Sequence, residues 1–151
     1  MLFRSPTEID LGDRSVLLVP RRAHTDSDVT VELPEAGIVF CGVLVWNRMF
    51  PNYVDATPGW LSRTVRLMAA VPATTYVPGH GSMADAAALA RYVDLLDAVE
   101  EAAREALRQG WSAGEAGAAF RLPPGTQDWT LFSDTYFERA IGAWMRELGA
   151  E

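Results

Sequence analysis

Histidine is scarce in this 151-residue chain: there are two, His24 in "AHTDSD" and His80 in "VPGHG". Imidazole changes charge near neutral pH and is the commonest nitrogen donor to metals, so these two residues frame what chemistry is open. His24 stands among Thr25, Asp26 and Asp28, any of which can orient an imidazole by a hydrogen bond. His80 sits between Gly79 and Gly81, where little side-chain bulk keeps a ligand or metal from the backbone. The candidate chemistry is therefore acid–base catalysis by His24 and His80, aided by Asp26, Asp28 or Asp55, or metal ligation by the imidazoles. Each histidine also has a plain structural reading, His24 in a local hydrogen bond and His80 as a cap for the following helix. Two histidines far apart in sequence do not by themselves specify a metal.

Cys41, the single cysteine, lies in the apolar run "IVFCGVLVW". As a thiolate it could be a ligand or nucleophile; as a buried thiol it is a small hydrophobe. On a regular strand it shares parity with Val43. Trp46, Asn47, Phe50, Tyr53 and Trp60 follow in a loop-rich stretch. They either line a small-molecule site, with Asn47 among the groups that orient the ligand, or form a hydrophobic cluster under a loop.

The elements that must position these groups follow from periodicity. "SVLLVP" (Ser15 to Pro20) and "DVTVELP" (Asp28 to Pro34) read as strands, the second alternating Val29, Val31 and Leu33 with Thr30 and Glu32. "EAG" turns into "IVFCGVLVW", which lacks polar alternation and reads as a strand apolar on both faces. A helix begins near Thr57 and Pro58, a strand covers "TTYVPGHG", and a long helix runs from Met83 to Gln109 with Ser82 and Asp85 at capping-box spacing. "LPPGTQDW" reads as a connecting loop, and a last helix spans Asp134 to Leu148. The order predicts an α/β layer structure.

The chain has a net charge of −7 and a pI near 4.8, which argues against nucleic acid or an acidic membrane as partner. A small-molecule or protein ligand is the better expectation. One cysteine permits no internal disulfide, and neither a signal-peptide pattern nor a membrane-length apolar run is evident, so a cytoplasmic location is expected.

"AHTDSDVTVELPEAGIVFCGVLVWN", "TTYVPGHG" and the helix after it, from about Glu8 to Gly110, resemble the second half of a metallo-β-lactamase superfamily domain. "DTYFERAIGAWMREL" resembles the tail of one hydrolase-like branch. The resemblance implies half of an αββα sandwich whose full form holds a metal pair, usually zinc, at one edge of the two sheets. His24 matches the histidine of the "AHT" motif and His80 that of "PGHG". The His-x-His-x-Asp-His motif of the first half is absent, and Val43 stands at the bridging aspartate.

The expectation is thus one truncated metallo-β-lactamase-like domain over 1–151, with core elements in 8–110 and a helical extension in 111–151. Its sheet should be covered by helices on one face only and completed by homodimerisation. The leading functional reading is a small-molecule enzyme (hydrolysis, cyclisation or elimination) with a metal-poor or metal-free site and no cofactor. The alternatives are a non-catalytic binding or scaffold protein, and a zinc hydrolase completed by a partner chain.

Overall fold

The computed structural model describes residues 5–70 and 75–150. Thr74, the expected start of the last strand, and the two outermost residues of the expected 1–151 unit lie outside them. Five strands, β1 (Thr7–Asp10), β2 (Ser15–Arg21), β3 (Asp28–Leu33), β4 (Ile38–Asn47) and β5 (Thr75–Gly81), form one sheet in that order. Neighbours are antiparallel as far as β4, and β5 joins β4 in parallel. A parallel pair needs a crossover, and α1 (Pro58–Ala69) lies in it. α2 (Ala86–Gln109), α3 (Ala113–Ala119) and α4 (Tyr136–Leu148) follow. This is the α/β half-sandwich arrangement that the sequence predicts. β1 and α3 were not expected, although the reciprocal bonds of Ser112 and Glu115 that cap α3 follow from the S-x-x-E spacing.

Directly paired residues point to the same side of a sheet, so the registers sort the strands into two faces. On one face Leu18 pairs with Thr7 and Val31, Pro20 with Val29, Phe40 with Val31 and Val77, and Ile38 with Leu33 and Thr75. Val16 and Ile9 complete it. Every position on this face is apolar or threonine, yet none is fully buried; Phe40 is 44% exposed, Ile9 42% and Val29 38%. We call it the open face.

The opposite face carries Val39, Cys41 and Tyr76 beneath helices, all buried, and the Tyr76 hydroxyl donates to the Met68 carbonyl of α1. Toward β2 and β3 this helical face turns polar. There Arg21 pairs with Glu32 at 2.7 Å and donates to Thr30 at 3.2 Å. Leu89, Tyr92, Leu95, Leu96, Val99 and Ala103 bury the inner stripe of α2, while Leu107 near its C-terminal end is exposed.

Two local departures follow from backbone geometry. Gly42 has φ of +54°, and the β4–β5 register shifts on both sides of it. The resulting bulge breaks the expected shared parity of Cys41 and Val43: Cys41 is buried, Val43 half-buried, and Leu44 to Asn47 are all buried. α2 begins at Ala86, not Met83, because Ala84 is held extended by two backbone bonds to Tyr76 of 2.7 and 2.9 Å. Asp85 is then the N-cap, accepting from Ala88 N at 2.7 Å, so neither Ser82 nor His80 caps the helix. Among the described residues no helix is long and apolar enough to cross a membrane.

Candidate functional site

His24 lies in the β2–β3 loop, which α1 clasps through Thr64 Oγ1 to the Arg22 carbonyl (2.9 Å) and Thr57 N to the Ala23 carbonyl (3.3 Å). The imidazole is 8% exposed, with Nε2 3.0 Å from the Asn52 carbonyl oxygen. A carbonyl only accepts, so Nε2 donates to it, and Nδ1 is buried with no partner. The nearby carboxylates serve the loop itself. Asp28 accepts from Thr25 N and Oγ1 at 2.8 and 3.0 Å, and Asp26 pairs with Arg22 at 3.0 Å. Asp55 is exposed in the loop before α1.

His80 is exposed at the far end of β5, opposite Trp46 of β4. The two rings stack with centroids 3.9 Å apart and planes at 22°, and Phe132 meets Trp46 edge-on at 6.5 Å. Trp46 Nε1 donates to the Val43 carbonyl at 2.9 Å, which fixes the indole. The glycines beside His80 admit strand β4, not a ligand. A Cβ on Gly81 would lie 1.9 Å from the Asn47 carbonyl oxygen, and one on Gly79 would lie 2.8 Å from the Gly42 backbone.

The loop aromatics divide among three places. Trp46 belongs to the His80 corner. Phe50 and Tyr53 are core residues, Phe50 meeting Phe137 at 4.9 Å, and burial pushes the Tyr53 hydroxyl pKa up. Trp60 is on the outer side of α1, 39% exposed, with the Arg22 and Arg63 guanidiniums 5.2 and 5.5 Å from its ring. Asn47 donates to the Ser82 and Met83 carbonyls at 3.0 and 3.1 Å, tying the end of β4 to the β5–α2 turn. A shallow hollow of about 420 Å³ beside that turn is lined by Asn47, Arg48, Ser82, Met83, Asp85 and Arg91.

Phe132 is a contributor that sequence reasoning missed. The segment after α3 straps over the end of β4, with Phe50 N bonded to the Thr130 carbonyl (2.9 Å), Thr130 N to the Arg48 carbonyl (3.0 Å), and Arg48 paired with Asp128. Trp129, buried against Tyr92 at 6.3 Å, anchors it. The aromatics in "DWTLF" were the available signal for a packed segment.

The donor set does not fit the metal pair that the resemblance implies. His24 offers one unpartnered ring nitrogen in a posture suited to ligation, because its other nitrogen donates to a carbonyl. Zinc needs three or four convergent donors, and among the described residues no group of three or more His, Cys, Asp or Glu side chains could hold a metal ion. Val43 has no donor atom in its side chain. Cys41 is fully buried with its thiol 3.4 Å from the Val39 carbonyl oxygen, and burial pushes its pKa up to about 12. It is a core thiol, neither nucleophile nor ligand at neutral pH.

Solved structures similar to this chain include metallo-β-lactamases. The one from Pontibacter korlensis is 27% identical with a TM-score of 0.57, over 63% of this chain and 47% of that one. FIM-1 from Pseudomonas aeruginosa, in its mono-zinc form, is 27% identical with a TM-score of 0.52, over 64% of this chain and 45% of that one. DIM-1, exposed to ceftazidime, is 28% identical with a TM-score of 0.50, over 60% and 44%. These likenesses establish a partial metallo-β-lactamase-fold relationship and a metallo-hydrolase-like fold, in which the chain spans less than half the length of each of these three proteins. No protein-family model and no curated protein matches the sequence.

Proposed function

We propose that the chain is a non-catalytic binding half-domain: a metallo-hydrolase-like half-sandwich that docks a complementary protein layer on its open sheet face. One observation carries this reading. The open face is free of charge across all five strands and buries none of its side chains, while the helical face of the same sheet buries Thr30, Val39, Cys41 and Tyr76. A contiguous uncharged surface of this kind on a chain of net charge −7 marks an interaction site. The groups that sequence pointed to for catalysis and substrate binding are spread over a clasped loop, the core, the outside of α1 and the β5 corner, which favours no convergent site.

The test is hydrophobic-dye fluorescence at high dilution. The wild-type protein should enhance the dye strongly, and a Val29→Lys, Phe40→Glu double variant should lose most of that enhancement. Absence of dye binding by folded wild-type protein at every dilution overturns the reading.

A second reading, small-molecule transformation without a metal, is favoured by the His80 corner. There an exposed imidazole is held against Trp46 at 3.9 Å, with Phe132 beside the same indole. His80 would act as the acid or base and the two aromatics as the apolar wall. A panel of esters, lactones and β-lactams with metal-stripped protein tests it. Turnover that falls at least about tenfold in a folded His80→Ala variant supports catalysis there; turnover unchanged by that substitution, or none at all, removes it.

A further inference from the structure

We infer that the layer docked on the open face is a second copy of this chain, packed sheet on sheet about a two-fold axis; the inference rests on the docking reading above. No position of the open face carries an ionisable group, so the surface has no electrostatic handle by which to select a charged partner. Its best complement is another uncharged, pleated, β-branched surface, and the chain presents one itself. The charges of a −7 protein are all kept off the contact, so the two copies repel through solvent and not across the interface.

The size of the face also fits. Five strands about 4.8 Å apart, with the central β3 six residues long at about 3.3 Å each, make a face of roughly 24 Å by 20 Å. Two such faces, with side-chain relief, remove on the order of 1,000 Å² from water, the lower margin for a specific interface. That supports a reversible dimer of micromolar strength.

Phe40 pairs with Val31 on the central strand β3, so the largest exposed ring of the face lies near its middle. A two-fold axis near Val31 sets each Phe40 into the opposing face among Val29, Val31 and Leu18, where a ring contributes most. Stacked sheets about 10 Å apart leave room for this interdigitation.

Sedimentation equilibrium from about 1 to 100 μM tests it, since micromolar association falls within that range. The expected mass rises with concentration toward twice the 16.5 kDa of one chain. Added salt should tighten the association by screening the repulsion. Phe40→Glu should weaken it at least about tenfold without changing the far-ultraviolet spectrum, Val29→Lys should do likewise, and Leu67→Glu on the exposed side of α1 should leave it intact. A dimer sensitive to Leu67→Glu but not to Phe40→Glu or Val29→Lys overturns the inference. A monomer throughout that still binds the hydrophobic dye overturns self-association and leaves the docking reading standing, the occupant then being a different chain or segment. A monomer that binds no dye overturns both.

Discussion

The two faces of the five-stranded sheet are built from the same strands, and their chemistry is reversed relative to their burial. The helical face mixes apolar residues at β4 and β5 with Arg21, Asp28 and Glu32 at β2 and β3, and it holds all the fully buried side chains of the two-face register. The open face has no charge at all, and every side chain on it keeps contact with solvent. In a free-standing antiparallel sheet the solvated face is the polar one. Residue type on the open face thus runs opposite to what solvent exposure alone favours.

Substitution can break that comparison directly. Placing a carboxylate at Cys41, fully buried under the helices, should cost roughly 4 kcal/mol or more of unfolding free energy, because it buries an unpaired charge. The neighbouring change Phe40→Asp, on the open face, should cost less than about 1 kcal/mol at high dilution. Denaturant titrations of both variants at sub-micromolar protein measure the contrast, and equal losses would erase it.

Gly81→Ala should cost about 2 kcal/mol or more, since φ is +88° and the added Cβ would overlap the Asn47 carbonyl. It acts on the β4–β5 seam, which both faces share, so it should loosen the His80–Trp46 stack and lower thermal stability together.

A pH dependence is also expected, and it belongs to the helical face. The Cys41 pKa lies near 9.0 when unfolded and is raised to about 12 by burial. Below pH 9 both states hold the proton and no stability is lost. Between pH 9 and 12 only the unfolded thiol ionises, so stability falls through that window. The wild-type protein compared with Cys41→Ala by denaturation from pH 8 to 11 should show that extra decline. The native thiol should also resist a thiol reagent at pH 8 until the chain unfolds.

Much of the fold was legible because alternation and punctuation are local signals. Val29, Val31 and Leu33 announced a strand and its apolar side, and Pro58 marked the start of α1. The half-sandwich, open on one side, followed from β4 being apolar on both faces. What was not legible depends on backbone conformation or on residues distant in sequence. The Gly42 bulge separates Cys41 from Val43, although regular alternation puts them together. Gly79 and Gly81 looked like room for a ligand and are room for a neighbouring strand. The dispersal of Trp46, Phe50, Tyr53 and Trp60 depends on α1 and α4 packing around the loop, which no spacing rule reveals. Phe132 reaches Trp46 from eighty-six positions downstream because Thr130 bridges to Met49.

Radical footprinting with mass-spectrometric readout, across a dilution series, compares the two faces in one experiment. The expected result is that Phe40 and Val29 are labelled at nanomolar protein and become protected as concentration rises into the tens of micromolar, while Tyr76 and Val39 stay protected throughout. Phe40 protected to the same degree as Tyr76 at every dilution would contradict it.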